Sequence, residues 1–233
     1  MIIGIGLQTY YSIQHVQAAA YLTRQAARVE ADLTAETAPE AVALKAYVSS
    51  ALFSSVAFLE ALANEIYADA ILPEGGHLSA LDERDRSMIA ELGETDSVQK
   101  ASILSKYDII LRAAGKSPLP SDCDPHQATA TIIRLRNEIV HYKASFFDVG
   151  TEDMVRAGSF HTSRLPQQIK GKFEPRKNAQ GISGDAWLGH GLAQWSVKTT
   201  VAYADAIFST LGVRPYYDHV RNKLGTTDDA GDA

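Results

Sequence analysis

The stretch that decides the fold is PEAVALKAYVSSALFSSVAFLEALANEIYADAIL, residues 39–72. Its apolar side chains recur at intervals of three and four residues, the pattern of a helix that packs one face on a core. Pro39 is tolerated in a first helical turn, and Pro73 ends the pattern. We therefore expect one long helix here, whose core-facing residues are Val48, Leu52, Val56, Leu59, Leu62, Ala63 and Ile66.

Helical patterns also flank this stretch on both sides. Residues 11–33 are rich in Ala, Gln, Leu and Arg and lack Gly and Pro, which favours a preceding helix. Residues 94–116 are expected to form one helix, capped by Thr95 or Asp96 and stopped by Gly115. Further helices are predicted over residues 81–92, 126–147 and 188–211, with a short amphipathic piece after Pro215.

The organisation predicted from these patterns is all-α, a bundle of four to six helices. The chain has 233 residues, of which 45% are hydrophobic, so a single domain over residues 1–223 is the default. We expect its core over about 40–148 and 188–212 and a polar insertion over 149–188, with short strands near 168–173. Residues 224–233 are expected to be a disordered acidic tail.

Charge and cysteine content limit the classes of function. The net charge of -6 excludes a surface that is basic throughout, so an RNA site would need a local basic patch. A single cysteine and an N-terminus unlike a signal peptide favour a soluble, cytoplasmic protein without a membrane span. The seven histidines show no ligand spacing, and we therefore expect neither a metal ion nor a cofactor.

One segment of this acidic chain is basic. Residues 156–177 contain six basic residues against one acid, Glu174. Lysine and arginine in such a segment either bind an RNA backbone or form a solvated loop, and the sequence leaves both alternatives open. The basic residues are Arg156, Arg164, Lys170, Lys172, Arg176 and Lys177.

The segment RLRNEIVHYK, residues 134–143, contains the side chains best suited to take part in a chemical reaction. On a helical wheel Arg136 falls at the centre of an apolar arc, which is formed by Ile132, Ile133, Ile139 and Val140. Asn137 and His141 lie together along one edge of this arc. An arginine there requires a partner, either a carboxylate of the protein or a substrate phosphate. Glu60, on the flank of the long helix, is the expected carboxylate, in a bidentate pair that packs the two helices together.

The same residues support two interpretations. In the first, Glu60 and Arg136 form a structural ion pair, and Asn137 and His141 only border it. In the second, Arg136 and His141 act on a phosphodiester, because histidine titrates near neutrality and the guanidinium fork matches a phosphate. Metal-independent RNA cleavage needs a base, an acid and positive charge, so a symmetric dimer would have to supply a second histidine.

The motif Arg136-Asn137-x-x-x-His141, followed by Tyr142 and Lys143, resembles the R-x(4–6)-H motif of the HEPN superfamily, the higher eukaryotes and prokaryotes nucleotide-binding domains. The stretches FSSVAFLEALANEIY and SILSKYDIILRAAGK resemble the helices that precede the motif in that family. The resemblance covers about residues 40–148 and, more loosely, the helix that begins near 188.

This resemblance implies an all-α homodimer whose two motifs face one cleft, and metal-independent endoribonuclease activity, often in toxins or defence effectors. Arg136 would then bind phosphate, His141 would be the acid or base, and Asn137 and Glu60 would orient them. RNA and an antitoxin would be the partners, and the alternative is a non-catalytic HEPN-like scaffold with a structural Glu60–Arg136 pair. Further RNA contacts are expected from Tyr142, Lys143, Lys170, Lys172, Arg176 and Lys177.

Overall fold

The computed structural model describes residues 9–33, 39–71, 76–141, 165–176 and 186–227. These residues are all-α, as the sequence predicts, and they contain no strand. The elements are α1 (Tyr11–Asp32), α2 (Pro39–Ile71), α3 (Glu83–Gly93), α4 (Asp96–Gln99), α5 (Ile103–Ala113), α6 (His126–Val140), α7 (Leu165–Ile169), α8 (His190–Leu211) and a 3-10 helix (Tyr216–Lys223).

Helix α2 is the centre of the bundle. Helices α1 and α8 pack against it and against each other, and α3, α5 and α6 pack on its remaining sides. The predicted stripe from Val48 to Ile66 is buried, which confirms the face expected from the sequence. By length and composition alone α2 could cross a membrane, whereas the sequence predicts no membrane span. The core helix of a soluble protein passes the same test.

The prediction of one helix over residues 94–116 is wrong, because the segment forms α4 and α5. The chain leaves the helical path before Ser102, which has an extended backbone conformation and accepts a hydrogen bond from the N–H of Ser105 at 3.3 Å. Serine at this position satisfies an N–H group of the first turn and so starts a new helix. Gly115, with a φ of 66°, follows the end of α5 as predicted.

The predicted core range, about 40–148 and 188–212, omits α1. Helix α1 belongs to the core, because it packs along α2 and buries Val16 and Ala19. In the insertion, residues 165–169 form α7 and not strands, and the described part packs on the bundle through Ile169, which is buried, and Phe173, whose ring lies 5.6 Å from that of Trp195.

The predicted disordered tail is ordered at its start. Thr226 is buried, its carbonyl oxygen lies 2.9 Å from Nε2 of His190, and its hydroxyl accepts a hydrogen bond from Gln194. The side chain of Arg24 donates to the carbonyl oxygen of Gly225 at 2.8 Å. These contacts tie the segment to α1 and α8, and residues 228–233 lie outside the described part.

Candidate functional site

The buried face of α6 differs from the one predicted. Its buried residues are Ala128, Thr129, Ile132 and Leu135, so the apolar arc centres near Ile132 and Leu135. Arg136 lies beside this arc with 26% of its side chain exposed, and Val140, placed in the arc by the sequence analysis, is 52% exposed. The prediction that Arg136 occupies the centre of the core face is therefore wrong.

Glu60 faces Arg136, as the sequence predicts. Arg136 Nη2 lies 3.9 Å from Glu60 Oε2, and 52% of the Glu60 side chain is exposed. This distance is too long for a hydrogen bond, so the predicted bidentate pair is not formed. Ion pairs this open to solvent contribute about 0–1 kcal/mol to stability, because water screens the charges.

His141 lies at the C-terminal end of α6, one turn beyond Asn137. Its backbone N–H donates a hydrogen bond to the carbonyl oxygen of Asn137 at 2.9 Å, which closes the last helical turn. The side chains of both residues are exposed. Asn137 and His141 can therefore reach a ligand from solvent, beside the partly exposed Arg136.

Lys106 on α5 also contacts this part of α2, and it was not among the residues predicted from the sequence. Its side-chain ammonium donates a hydrogen bond to Oδ1 of Asn64 on α2 at 2.8 Å, although Lys106 as a whole is only 6% exposed. Asn64 is exposed and follows Glu60 by four residues, so the two are neighbours on one face of α2. The available signal was a lysine within the apolar repeat of α5, one turn before Ile110.

The predicted RNA-contacting residues do not gather around Arg136 within the described chain. Lys170 is exposed, and Lys172 Nζ lies 3.7 Å from Oδ2 of Asp124, in the loop before α6. That loop and Arg136 are separated by about 15 Å along the axis of α6, at 1.5 Å per residue. Tyr142, Lys143 and Lys177 lie outside the described residues.

Arg176 is buried and contributes to a separate cavity of about 820 Å³ between the end of α1, residues 171–176 and the start of α8. Phe173, Trp195 and Lys198 are further lining residues. Glu30, which also lines it, accepts a hydrogen bond from the backbone N–H of His190 and so caps α8. This cavity mixes both signs of charge and contains neither Arg136 nor His141.

Within the described ranges no three His, Cys, Asp or Glu side chains cluster in a way that could hold a metal ion. Comparison of the chain with protein-family models, curated proteins and solved structures finds no match. The resemblance to HEPN domains therefore stays a prediction that rests on the motif and its helices.

Proposed function

We propose that this protein is a HEPN-like endoribonuclease in which Arg136 and His141 act on the RNA phosphodiester. The observation that carries the proposal is the exposed His141 at the end of α6, with a partly exposed arginine in the preceding turns. The loose pair with Glu60 directs the Arg136 guanidinium without covering it. An arginine held in this way can still bind a phosphate.

The reaction proposed is an attack of the RNA 2'-hydroxyl on the adjacent phosphorus. A histidine takes the hydroxyl proton, O2' bonds to phosphorus, and the bond from phosphorus to O5' breaks. A second acid gives its proton to O5', which leaves a 2',3'-cyclic phosphate and a 5'-hydroxyl. Arg136 stabilises the negative charge that develops on the phosphoryl oxygens.

One histidine cannot be base and acid in the same step, and the proposal therefore includes a homodimer. Two copies of α6 that face one cleft would supply two histidines and two arginines. Glu60 then orients Arg136, and the exposed amide of Asn137 contacts substrate or orients His141. The HEPN resemblance extends this proposal to a cytoplasmic toxin or defence effector with an antitoxin partner.

A non-catalytic HEPN-like scaffold is the second candidate, and the observation in its favour is that Glu60 and Arg136 do join α2 and α6. A distance of 3.9 Å between partly exposed groups stabilises little, so a structural role alone accounts poorly for an arginine at this position. The scaffold interpretation also assigns no role to the exposed His141.

The test is cleavage of a mixed RNA substrate, with chelator present, by the wild-type protein and by His141→Ala and Arg136→Ala. We expect products with 2',3'-cyclic phosphate ends from the wild type, and a loss of about 100-fold or more in rate for His141→Ala. Sedimentation of the same samples should show a dimer of the 25.2 kDa chain.

Two variants serve as matched controls. His219→Ala removes an exposed histidine of the 3-10 helix, and Arg134→Ala removes an exposed arginine of α6 that pairs with Glu138 at 3.2 Å. Both should cleave like the wild type. Equal cleavage by His141→Ala and the wild type would point to a contaminating nuclease, and absence of cleavage from every sample would favour the scaffold.

A further inference from the structure

The side chain of Lys106 is unusual because its charge lacks an acidic partner among the described residues. Its only hydrogen-bond partner there is the neutral amide oxygen of Asn64, at 2.8 Å. The residue is 6% exposed, so burial removes much of the water that would otherwise solvate the side chain. A buried ammonium is costly unless an opposite charge offsets it.

The Lys106 ammonium and the Arg136 guanidinium approach the same face of α2. Glu60 and Asn64 are one turn apart on α2, so their Cβ atoms are about 5–6 Å apart. Arg136 approaches this face of α2 from α6, at 3.9 Å from Glu60, and Lys106 approaches it from α5 through Asn64. Two cations from different helices therefore meet one turn of α2 that carries a single carboxylate, Glu60.

We infer that Lys106 is a second phosphate-binding cation and that it forms, with Arg136, a binding site for the backbone of single-stranded RNA along this face of α2. The lysine supplies a point charge, and the arginine supplies a planar fork of donors. Asn64 is a positioning residue that directs the ammonium to the exposed edge. The assignment of RNA as ligand rests on the proposed function.

The open side of the site is the exposed surface of Glu60 and Asn64, which a ligand can reach from solvent. The buried stem of Lys106 holds the ammonium in place, so the lysine loses little conformational freedom when it binds. A phosphate at this position would neutralise the positive charge of Lys106, which the uncharged amide of Asn64 cannot do.

Binding is best measured without cleavage, by the fluorescence anisotropy of a 2'-O-methyl single-stranded oligonucleotide at several salt concentrations. Lys106→Met keeps the length and apolar character of the stem but removes the charge. We expect it to raise Kd about tenfold at low salt and to reduce the salt dependence of binding by about one counterion. Lys106→Arg, which keeps the charge, should retain most of the affinity.

Lys100→Met is the matched control, because Lys100 is 75% exposed and pairs with Asp96 on the neighbouring short helix α4. It should bind the oligonucleotide like the wild type. Asn64→Ala should weaken binding less than Lys106→Met, because the ammonium loses its hydrogen bond to Asn64 but keeps its charge. Thermal unfolding of every variant establishes that each is folded before its Kd is compared.

The outcomes separate this inference from the nuclease proposal. If Lys106→Met weakens binding and the wild type cleaves no RNA, the binding site stands and the nuclease proposal fails. If the wild type cleaves RNA through His141 while Lys106→Met leaves Kd and its salt dependence unchanged, the inference about Lys106 is overturned. Failure of the wild type to bind the oligonucleotide at low salt would also overturn it.

Discussion

Glu60 on α2 and Arg136 on α6 approach to 3.9 Å, yet 52% and 26% of their side chains remain exposed. At this distance the carboxylate and the guanidinium attract each other, but water screens the attraction and no hydrogen bond forms between them. The pair therefore sets the direction of the guanidinium and leaves its donors accessible. A buried, bidentate pair between the same residues would have closed the site.

Substitution of Arg136 should affect stability only slightly. Because the ion pair is partly exposed, we expect Arg136→Ala to lower the free energy of unfolding by about 0–1 kcal/mol, measured by urea denaturation. A buried pair, as anticipated from the sequence, would instead cost about 3–5 kcal/mol when broken. A loss in that larger range would show that the Glu60–Arg136 pair is buried between α2 and α6.

The buried face of α6 can be tested with two truncations. Ile132 is fully buried, and Ile132→Ala should lower the free energy of unfolding by about 2–5 kcal/mol, since it leaves a cavity in the core. Val140 is 52% exposed, and Val140→Ala should change stability by about 0.5 kcal/mol or less. Similar effects of the two truncations would contradict the orientation of α6.

Alanine substitutions of Gly76 and Gly115 distinguish the cost of a strained backbone from the cost of a steric clash. Both have positive φ, at 72° and 66°, so either alanine substitution should cost about 1–2 kcal/mol. A Cβ on Gly76 would also lie 2.3 Å from the carboxylate of Asp69, whereas one on Gly115 would meet nothing within 4 Å. The Asp69 carboxylate accepts hydrogen bonds from the hydroxyl of Tyr10 and the backbone N–H of His77.

We therefore expect Gly76→Ala to destabilise the protein clearly more than Gly115→Ala in thermal and urea unfolding. The difference arises because the carboxylate must move away from the hydroxyl of Tyr10 and the N–H of His77. Equal losses for the two variants would mean that the segment after Gly76 shifts freely and that Asp69 does not fix it.

Stability should decline in alkali because of Tyr217. Burial, together with a hydrogen bond from its hydroxyl to Asp205 Oδ1 at 2.6 Å, holds the pKa of Tyr217 well above its ordinary value. Above about pH 10 the unfolded chain loses the phenol proton while the folded chain keeps it, so the free energy of unfolding falls as pH rises.

Urea denaturation between pH 8 and 11 measures this slope. Tyr217→Phe removes the titrating group, and its unfolding free energy should fall less steeply by about one proton, although the variant also loses the hydrogen bond to Asp205. The same slope in both proteins would assign the alkaline loss to other residues, of which Tyr107 and Tyr203 also have a pKa raised by burial.

Local signals predicted the helices well because helix formation depends on neighbouring residues. The bounds of α1 and α2 agree with those expected from Ala-rich composition, apolar spacing and Pro39. The break before Ser102 had a local signal, since serine is a preferred N-cap residue, but the apolar period on both sides concealed it. Residues such as Thr226, whose order depends on distant contacts, were predicted wrongly.

The sequence by itself determined the all-α class, the core face of α2 and the spacing that sets Arg136 and Asn137 on α6 and His141 at its end. Only the tertiary structure decided that Arg136 lies beside the core face and that Lys106 reaches Asn64, a contact across 42 residues. The physical reason is that a helical period shows which residues share a face, whereas the packing of α5 and α6 on α2 decides which faces meet and which side chains stay open to solvent.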